Sequence, residues 1–177
     1  MNAKVVFVVV FIILLLAGSA VLIIPSLGGY NPKEWPVPSS GTPDQVLGKL
    51  NSTLKLSTVP VYATIEKVPL PAGSEAVGFM AKYDNETQIL GVVAKLNTSA
   101  KNLAQQVIGL YDEHRDKFSS FKYSLGTNNG FAEAAAKNLV FSLWYKDNWL
   151  IEVLCYGKNP GKAMDYFKQS FYKVING

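Results

Sequence analysis

The hydrophobic pattern begins with a long apolar run, Val5 to Leu27, that contains no charged residue. Its 23 residues would span roughly 34 Å as a helix, enough to cross the hydrocarbon core of a bilayer. Gly18-Ser19-Ala20 resembles a signal-peptidase site, but the run continues through Ile24 and is longer than a usual signal core. We therefore predict that residues 1–27 are an uncleaved transmembrane anchor, with a cleaved signal peptide as the alternative.

The charges that flank the apolar run indicate its orientation. Lys4 precedes the run, whereas Lys33 and Glu34 offset each other after it. This weak bias favours a cytoplasmic N-terminus, a single pass through the cell membrane and an extracytoplasmic C-terminal domain. Three Asn-x-Ser/Thr sequons agree with that placement and are candidate glycosylation sites: Asn51, Asn85 and Asn97.

A segment rich in proline and glycine, residues 28–44, separates the apolar run from the rest of the chain. Four prolines and three glycines in these 17 residues oppose regular structure and favour an extended stalk. Its two aromatic residues, Tyr30 and Trp35, suit either the lipid headgroup level or packing on the domain. The sequence does not decide between these two placements.

Residues 45–177 have the periodicity of one compact domain. Thr42-Pro43-Asp44 is typical of a helix start, and Asn97-Thr98-Ser99 predicts a second helix that continues to about Phe118. A third helix is predicted from Pro160 to about Ile175. Strands are predicted over 59–67, 75–83, 87–96, 121–125, 138–146 and 149–156, and residues 131–137 are ambiguous. This order predicts an α+β fold, with an antiparallel sheet of about six strands flanked by helices as an α/β/α sandwich.

Composition narrows the functional classes. The formal net charge is +4, but lysines and acids are interspersed, so the basic stripe of a nucleic-acid-binding protein is missing. The single cysteine, Cys155, lies in an alternating strand in which Trp149, Ile151 and Val153 share its face. We interpret Cys155 as a small buried apolar residue.

The remaining candidate chemistry is sparse. His114 lies between acidic residues but has no second histidine or cysteine pair to complete a metal site. The hairpin around Asp147-Asn148 is rich in aromatic residues, for which the sequence favours core packing over an exposed partner surface: Trp144, Tyr145, Trp149 and Tyr156. We predict no catalytic residue, cofactor or metal, and hence a protein that is not an enzyme.

The order of elements resembles the PsbP-like family. The resemblance is carried by the strand 87–96, the helix from Ser99, the short strand 121–125, the hairpin 139–156 and the terminal helix 166–175, and it covers about residues 60–176. The family includes the extrinsic photosystem II protein, a Ran-binding nuclear transport factor and bacterial surface lipoproteins. It implies the same α/β/α sandwich and a non-catalytic accessory or binding role.

These observations give three functional hypotheses. The first is a membrane-anchored extracytoplasmic accessory or interaction module that binds a protein or glycan partner and no nucleic acid. The second is a cell-surface protein that binds a small apolar ligand between sheet and helices. The third is a hydrolase-like enzyme, which would require titratable groups from distant segments to meet in one cleft.

Overall fold

A computed structural model of the chain describes residues 30–59, 64–65 and 68–177. The predicted anchor, residues 1–27, lies outside this part. Three helices and nine strands are present in the described residues. The helices are α1 (Pro43–Leu54), α2 (Lys101–Asp112) and α3 (Pro160–Asn176), and a 3-10 turn covers Arg115–Lys117. The strands are β1 (Ser57–Val59), β2 (Thr64–Ile65), β3 (Val68–Pro69), β4 (Glu75–Lys82), β5 (Thr87–Lys95), β6 (Ser120–Leu125), β7 (Asn129–Ala136), β8 (Leu139–Lys146) and β9 (Trp149–Gly157).

Seven of the strands form one antiparallel sheet in the order β1-β4-β5-β9-β8-β7-β6, and β2 and β3 pair separately. The predicted α+β class is therefore confirmed. The sheet has seven strands rather than about six. Its centre is the pairing of β5 with β9, which runs from Thr87 opposite Gly157 to Lys95 opposite Trp149.

Side chains that alternate along the central strands divide the core into two layers. On one face, Ile151 and Val153 of β9 pack with α1 and α3. On the other, Leu150 and Leu154 pack with α2. Trp149 and Cys155 lie on the α1–α3 face with Ile151 and Val153, as the alternation predicted. Helices thus cover both faces of the sheet.

The start of α1 follows the local sequence signal, whereas the start of α2 does not. Thr42 caps α1: its Oγ1 accepts from the amide of Gln45 at 3.3 Å, and Gln45 Oε1 accepts from the amide of Thr42 at 3.1 Å. The predicted cap of α2 was wrong, because α2 begins at Lys101 with Ala100 at its N-cap and no side-chain cap. The side chain of Asn97 instead donates to the carbonyl of Ala72. The helix also ends at Asp112, six residues before Phe118.

Two strand predictions also changed. The ambiguous stretch 131–137 belongs to β7, because Ala132 and Ala134 are fully buried against the α2 layer and paired with β8. Burial and pairing therefore override the helix propensity of alanine. The predicted strand 59–67 is described only as β1 and β2, since residues 60–63 and 66–67 lie outside the described part.

The segment predicted as a stalk packs on the domain from Tyr30 onward. Trp35 is 1% exposed, and its ring stacks on Phe131 with a centroid distance of 4.5 Å. Tyr30 donates its hydroxyl to the carbonyl of Trp35 at 2.6 Å, and Trp144 Nε1 donates to the carbonyl of Pro36 at 2.6 Å. We call residues 30–38 the strap. Residues 30–38 are therefore not a free stalk. Burial of the large aromatic ring of Trp35 lowers the free energy of the packed arrangement relative to an exposed one.

Within the described part of the chain, none of the helices has the length and apolar character needed to cross a bilayer.

Candidate functional site

A cleft of about 670 Å³ opens at the end of the sheet where β4 turns into β5. The end of α1 and the start of α3 form its other walls. Thr53 and Leu54 line it from α1, and Leu54 is buried. Three elements that are distant in sequence therefore contribute to one concave surface.

Three lysines, one from each wall, give the cleft its charge: Lys55, Lys82 and Lys162. Lys55 is the C-cap of α1 in a left-handed conformation, with φ of 51°. Lys82 is the last residue of β4, and Lys162 lies in the first turn of α3. All three are exposed, and none forms an ion pair with another described residue.

Asp84 is the acidic residue of the cleft lining. Its Oδ1 accepts from the amide of Glu86 at 2.8 Å, and its Oδ2 accepts from Asn159 Nδ2 at 3.1 Å. The hydrogen bond from Glu86 is the main reason that the pKa of Asp84 lies below its usual range, with Asn159 contributing in the same direction. The carboxylate thus stays ionised and ties the β4–β5 turn to the start of α3.

The start of α3 is left without a side-chain cap. Asn159 occupies the N-cap position, but its side chain bonds to Asp84 rather than to the first-turn amides. Its own amide donates to Thr87 Oγ1 at 3.1 Å, and Pro160 follows at the first helical position. The amides of the first turn, together with the helix dipole, place partial positive charge at the cleft.

Two tyrosines form the aromatic part of the lining. The rings of Tyr83 and Tyr166 are 5.6 Å apart and inclined at 56°. Tyr166 is 40% exposed, which makes it one of two large exposed hydrophobic side chains in the described residues. A ring that remains open to solvent at the edge of a cleft can stack on a planar ligand.

The sequence left two alternatives for the aromatic hairpin, core packing and an exposed partner surface. In the structure the hairpin does not present an exposed aromatic surface. Trp144 and Tyr145 are fully buried and Trp149 is 4% exposed, so core packing, which the sequence favoured, holds for these three residues. Each is needed to fill a layer between sheet and helices. Tyr156 is half-buried, and its hydroxyl donates to Gln88 Oε1 at 2.6 Å.

The other predicted residues are placed as follows. Asn51, Asn85 and Asn97 are all exposed, which is compatible with their role as candidate glycosylation sites. Cys155 is fully buried, as predicted. No cluster of three or more metal-ligating side chains occurs in the described ranges, and His114 lies between α2 and the 3-10 turn.

A second polar cluster lies beneath the strap, away from the cleft. Glu133 binds Lys168 at 2.9 Å and Lys122 at 3.2 Å, and it accepts from Ser142 Oγ at 3.1 Å. All four residues come from β6, β7, β8 and α3, so this network joins α3 to one side of the sheet. Because each charged side chain of the network has an oppositely charged partner within it, we assign it a structural role.

Sequence reasoning predicted the strands on either side of Asp84 and a helix from Pro160, but it missed the cleft. The three lysines are separated by 27 and 80 positions along the chain, and no motif links them. The lysines are brought together by the adjacency of the β4–β5 turn to the end of β9, which only the strand pairing reveals.

No protein-family model matches this sequence, and no curated protein matches it. Among solved structures, the chain is similar to a GTP-binding regulator from Thermotoga maritima. The two chains share 20% sequence identity and superpose with a TM-score of 0.56, covering 76% of this chain and 87% of the other. At this identity the likeness concerns the fold alone.

Proposed function

We propose that this protein is a membrane-anchored, extracytoplasmic accessory module that binds a partner and does not catalyse a reaction. Residues 5–27 would hold it at the cell membrane in a single pass, with the N-terminus in the cytoplasm. Its domain would be a PsbP-like α/β/α sandwich, with helices over both faces of the sheet. The cleft beside Asp84 would be its binding site.

The observation that carries this proposal is the position of the strap relative to the cleft. The strap lies toward the β8–β9 turn, because Lys95, which pairs with Trp149 beside that turn, donates its Nζ to the carbonyl of Gly41 just after the strap at 2.9 Å. Asp84 lies at the opposite end of the sheet, where β9 ends. The nine residues of β9 separate the two ends by about 30 Å. An anchor just before Tyr30 would therefore leave the cleft facing away from the membrane.

The chemistry of the cleft supports binding rather than catalysis. Asp84 is held ionised by hydrogen bonds, so it is a poor proton donor at neutral pH. Burial raises the pKa of the Cys155 thiol, and that residue lies in the core. The lysines and tyrosines of the cleft supply charge and stacking surface, which are the elements of recognition.

The packing between sheet and helices favours this proposal over an apolar-ligand carrier. Phe79 and Phe167 stack at 5.2 Å on one face, and Tyr111 and Phe141 stack at 3.8 Å on the other. Large side chains thus fill the space in which such a ligand would lie. The solved protein of similar fold is a GTP-binding regulator, which agrees with an accessory role.

Protease treatment of intact source cells tests the proposed topology. The full chain would carry an epitope tag after Gly177, and a cytoplasmic protein would serve as the control for lysis. We expect the tag to be lost from intact cells while the control survives. Loss of the tag only after lysis would place the domain in the cytoplasm and overturn the proposal.

A further inference from the structure

We propose that the cleft binds a small phosphorylated ligand whose planar or sugar ring stacks on Tyr166. The proposal rests on the cleft being the binding site of the module, and it does not depend on which side of the membrane the domain lies. The ligand class is an organic phosphate with a ring beside the phosphate. A free nucleotide and a phosphorylated sugar of a surface glycan share this chemistry.

The first argument is charge. Lys55, Lys82 and Lys162 converge on the cleft from three different elements, against the single carboxylate of Asp84. Lysine is a compact point charge and a common phosphate ligand. No other described side chain neutralises these lysines, and a phosphate with two or more negative charges would do so.

The second argument concerns Asp84, the one carboxylate of the lining, whose negative charge is outnumbered by the three lysines. Both of its oxygens are already occupied, Oδ1 by the amide of Glu86 and Oδ2 by Asn159. These bonds direct the carboxylate into the β4–β5 turn. By engaging Asn159, they also leave the first turn of α3 without a side-chain cap. An anion at that position would gain the uncapped amides in addition to the lysines.

The third argument is shape. The volume of about 670 Å³ falls within the range of small-molecule sites, roughly 300–1,000 Å³. Tyr166, with Tyr83 against it, offers an exposed ring at the edge of that space. Stacking of one base on an aromatic ring contributes enough to change affinity by about tenfold or more. The combination of charge and ring therefore favours a phosphorylated ring compound over inorganic phosphate.

Calorimetric titration of the full chain, in nanodiscs of zwitterionic lipid, tests the inference. The probes are GTP, glucose 1-phosphate, inorganic pyrophosphate and guanosine. We expect at least one phosphorylated ring compound to bind more tightly than pyrophosphate, and guanosine not to bind. Whether GTP or glucose 1-phosphate binds more tightly distinguishes a nucleotide from a phosphorylated sugar as the source.

Variants locate the site. Lys82→Gln and Lys162→Gln should each weaken binding about tenfold, whereas Lys173→Gln, an exposed lysine at the far end of α3, should leave it unchanged. Tyr166→Ala should remove the advantage of the ring compound over pyrophosphate, and Tyr166→Phe should retain it.

Absence of binding by every phosphorylated probe at millimolar concentration would overturn the inference. Equal losses in Lys82→Gln and Lys173→Gln would also overturn it, because they would show diffuse attraction to surface charge. Neither result would bear on the protease experiment. A domain outside the cell that fails to bind phosphates, and a cytoplasmic domain that binds them, are separate and recognisable outcomes.

Discussion

Lys168 lies beneath the ring of Trp35, with its Nζ 3.7 Å from the ring centroid, and the same nitrogen binds Glu133 at 2.9 Å. The side chain of Lys168 is only 11% exposed. Trp35, which belongs to the strap and not to a helix or strand, therefore covers the ammonium group of Lys168 on α3. In this way the strap completes the packing between the sheet and α3. A cation held between a carboxylate and an aromatic face is stabilised on both sides.

Replacing Trp35 should show how much the strap contributes to stability. We expect Trp35→Ala to lower the free energy of unfolding by about 3–5 kcal/mol, since it removes a large buried ring and exposes Lys168. Urea denaturation of the full chain in detergent, followed by the fluorescence of the two remaining tryptophans, measures the loss. Tyr30→Phe is the matched control and should cost about 1 kcal/mol, because it removes one hydrogen bond. A loss below that of the control would show that the strap is not part of the folded unit.

The strap also shows what the sequence could and could not predict. The helix start at Thr42-Pro43-Asp44, the hairpin turn at Asp147-Asn148 and the start of α3 at Pro160 were predicted correctly, because each depends on neighbouring residues. A tryptophan among prolines carries no such local signal. Whether Trp35 meets lipid or Phe131 depends on a residue 96 positions away.

The cleft was beyond sequence reasoning for a related reason. Its lysines come from the ends of α1 and β4 and from the start of α3, and they converge only because β9 pairs with β5. The alanines of β7 illustrate the same limit, since Ala132 and Ala134 favour a helix locally and become a strand through pairing with β8. Local chemistry therefore determined the starts of α1 and α3, and tertiary contacts determined the site.

The Glu133 network should make stability depend on pH in the acid range. Burial alone would raise the pKa of Glu133, but the charges and hydrogen bonds of Lys168 and Lys122 outweigh it, so the pKa lies below its ordinary value of 4.5. The folded state then binds fewer protons than the unfolded state. The stabilisation is present above the unfolded pKa and is lost as the pH falls through the folded pKa.

Glu133→Gln tests this dependence. At pH 7 the variant should be less stable by about 2 kcal/mol, a value reduced for partial exposure, because Lys168 loses its charged partner. The difference from the wild type should shrink as the pH falls from about 4.5, the ordinary value, through the lower pKa of the folded state, where the native carboxylate becomes protonated. Urea denaturation at neutral and acid pH measures both values. A difference that stays constant across this range would mean that the charge of Glu133 contributes nothing to stability.

Cys155 should be unreactive in the folded protein. It is the single cysteine of the chain, it is fully buried, and burial raises the pKa of its thiol. Because the thiolate is the reactive form, labelling by an aromatic disulfide reagent should be at least about 100-fold slower in buffer than in denaturant. Cys155→Ser provides the blank. Rapid labelling of the native chain would show that β9 opens to solvent.

Gly91 should be intolerant of any side chain, because β4 and β9 approach it from both sides of β5. A Cβ atom at this position would lie 2.4 Å from Cζ of Phe79 and 2.6 Å from the carbonyl oxygen of Glu152. The ring of Phe79 is held by its stacking on Phe167, and the carbonyl belongs to the central strand pair, so neither atom moves easily.

Gly91→Ala should therefore lower the free energy of unfolding by about 1–3 kcal/mol, as overpacking does in other cores. Gly48→Ala is the matched control, since Gly48 lies within α1 and a Cβ there meets no atom within 4 Å. That change should instead stabilise the chain by about 0.5–1 kcal/mol, because alanine is the better helix former. Equilibrium denaturation of both variants measures the two opposite signs. If Gly91→Ala leaves the free energy of unfolding unchanged, the ring of Phe79 must be able to move from its position over β5. The packing of α3 on the sheet would then have to change with it.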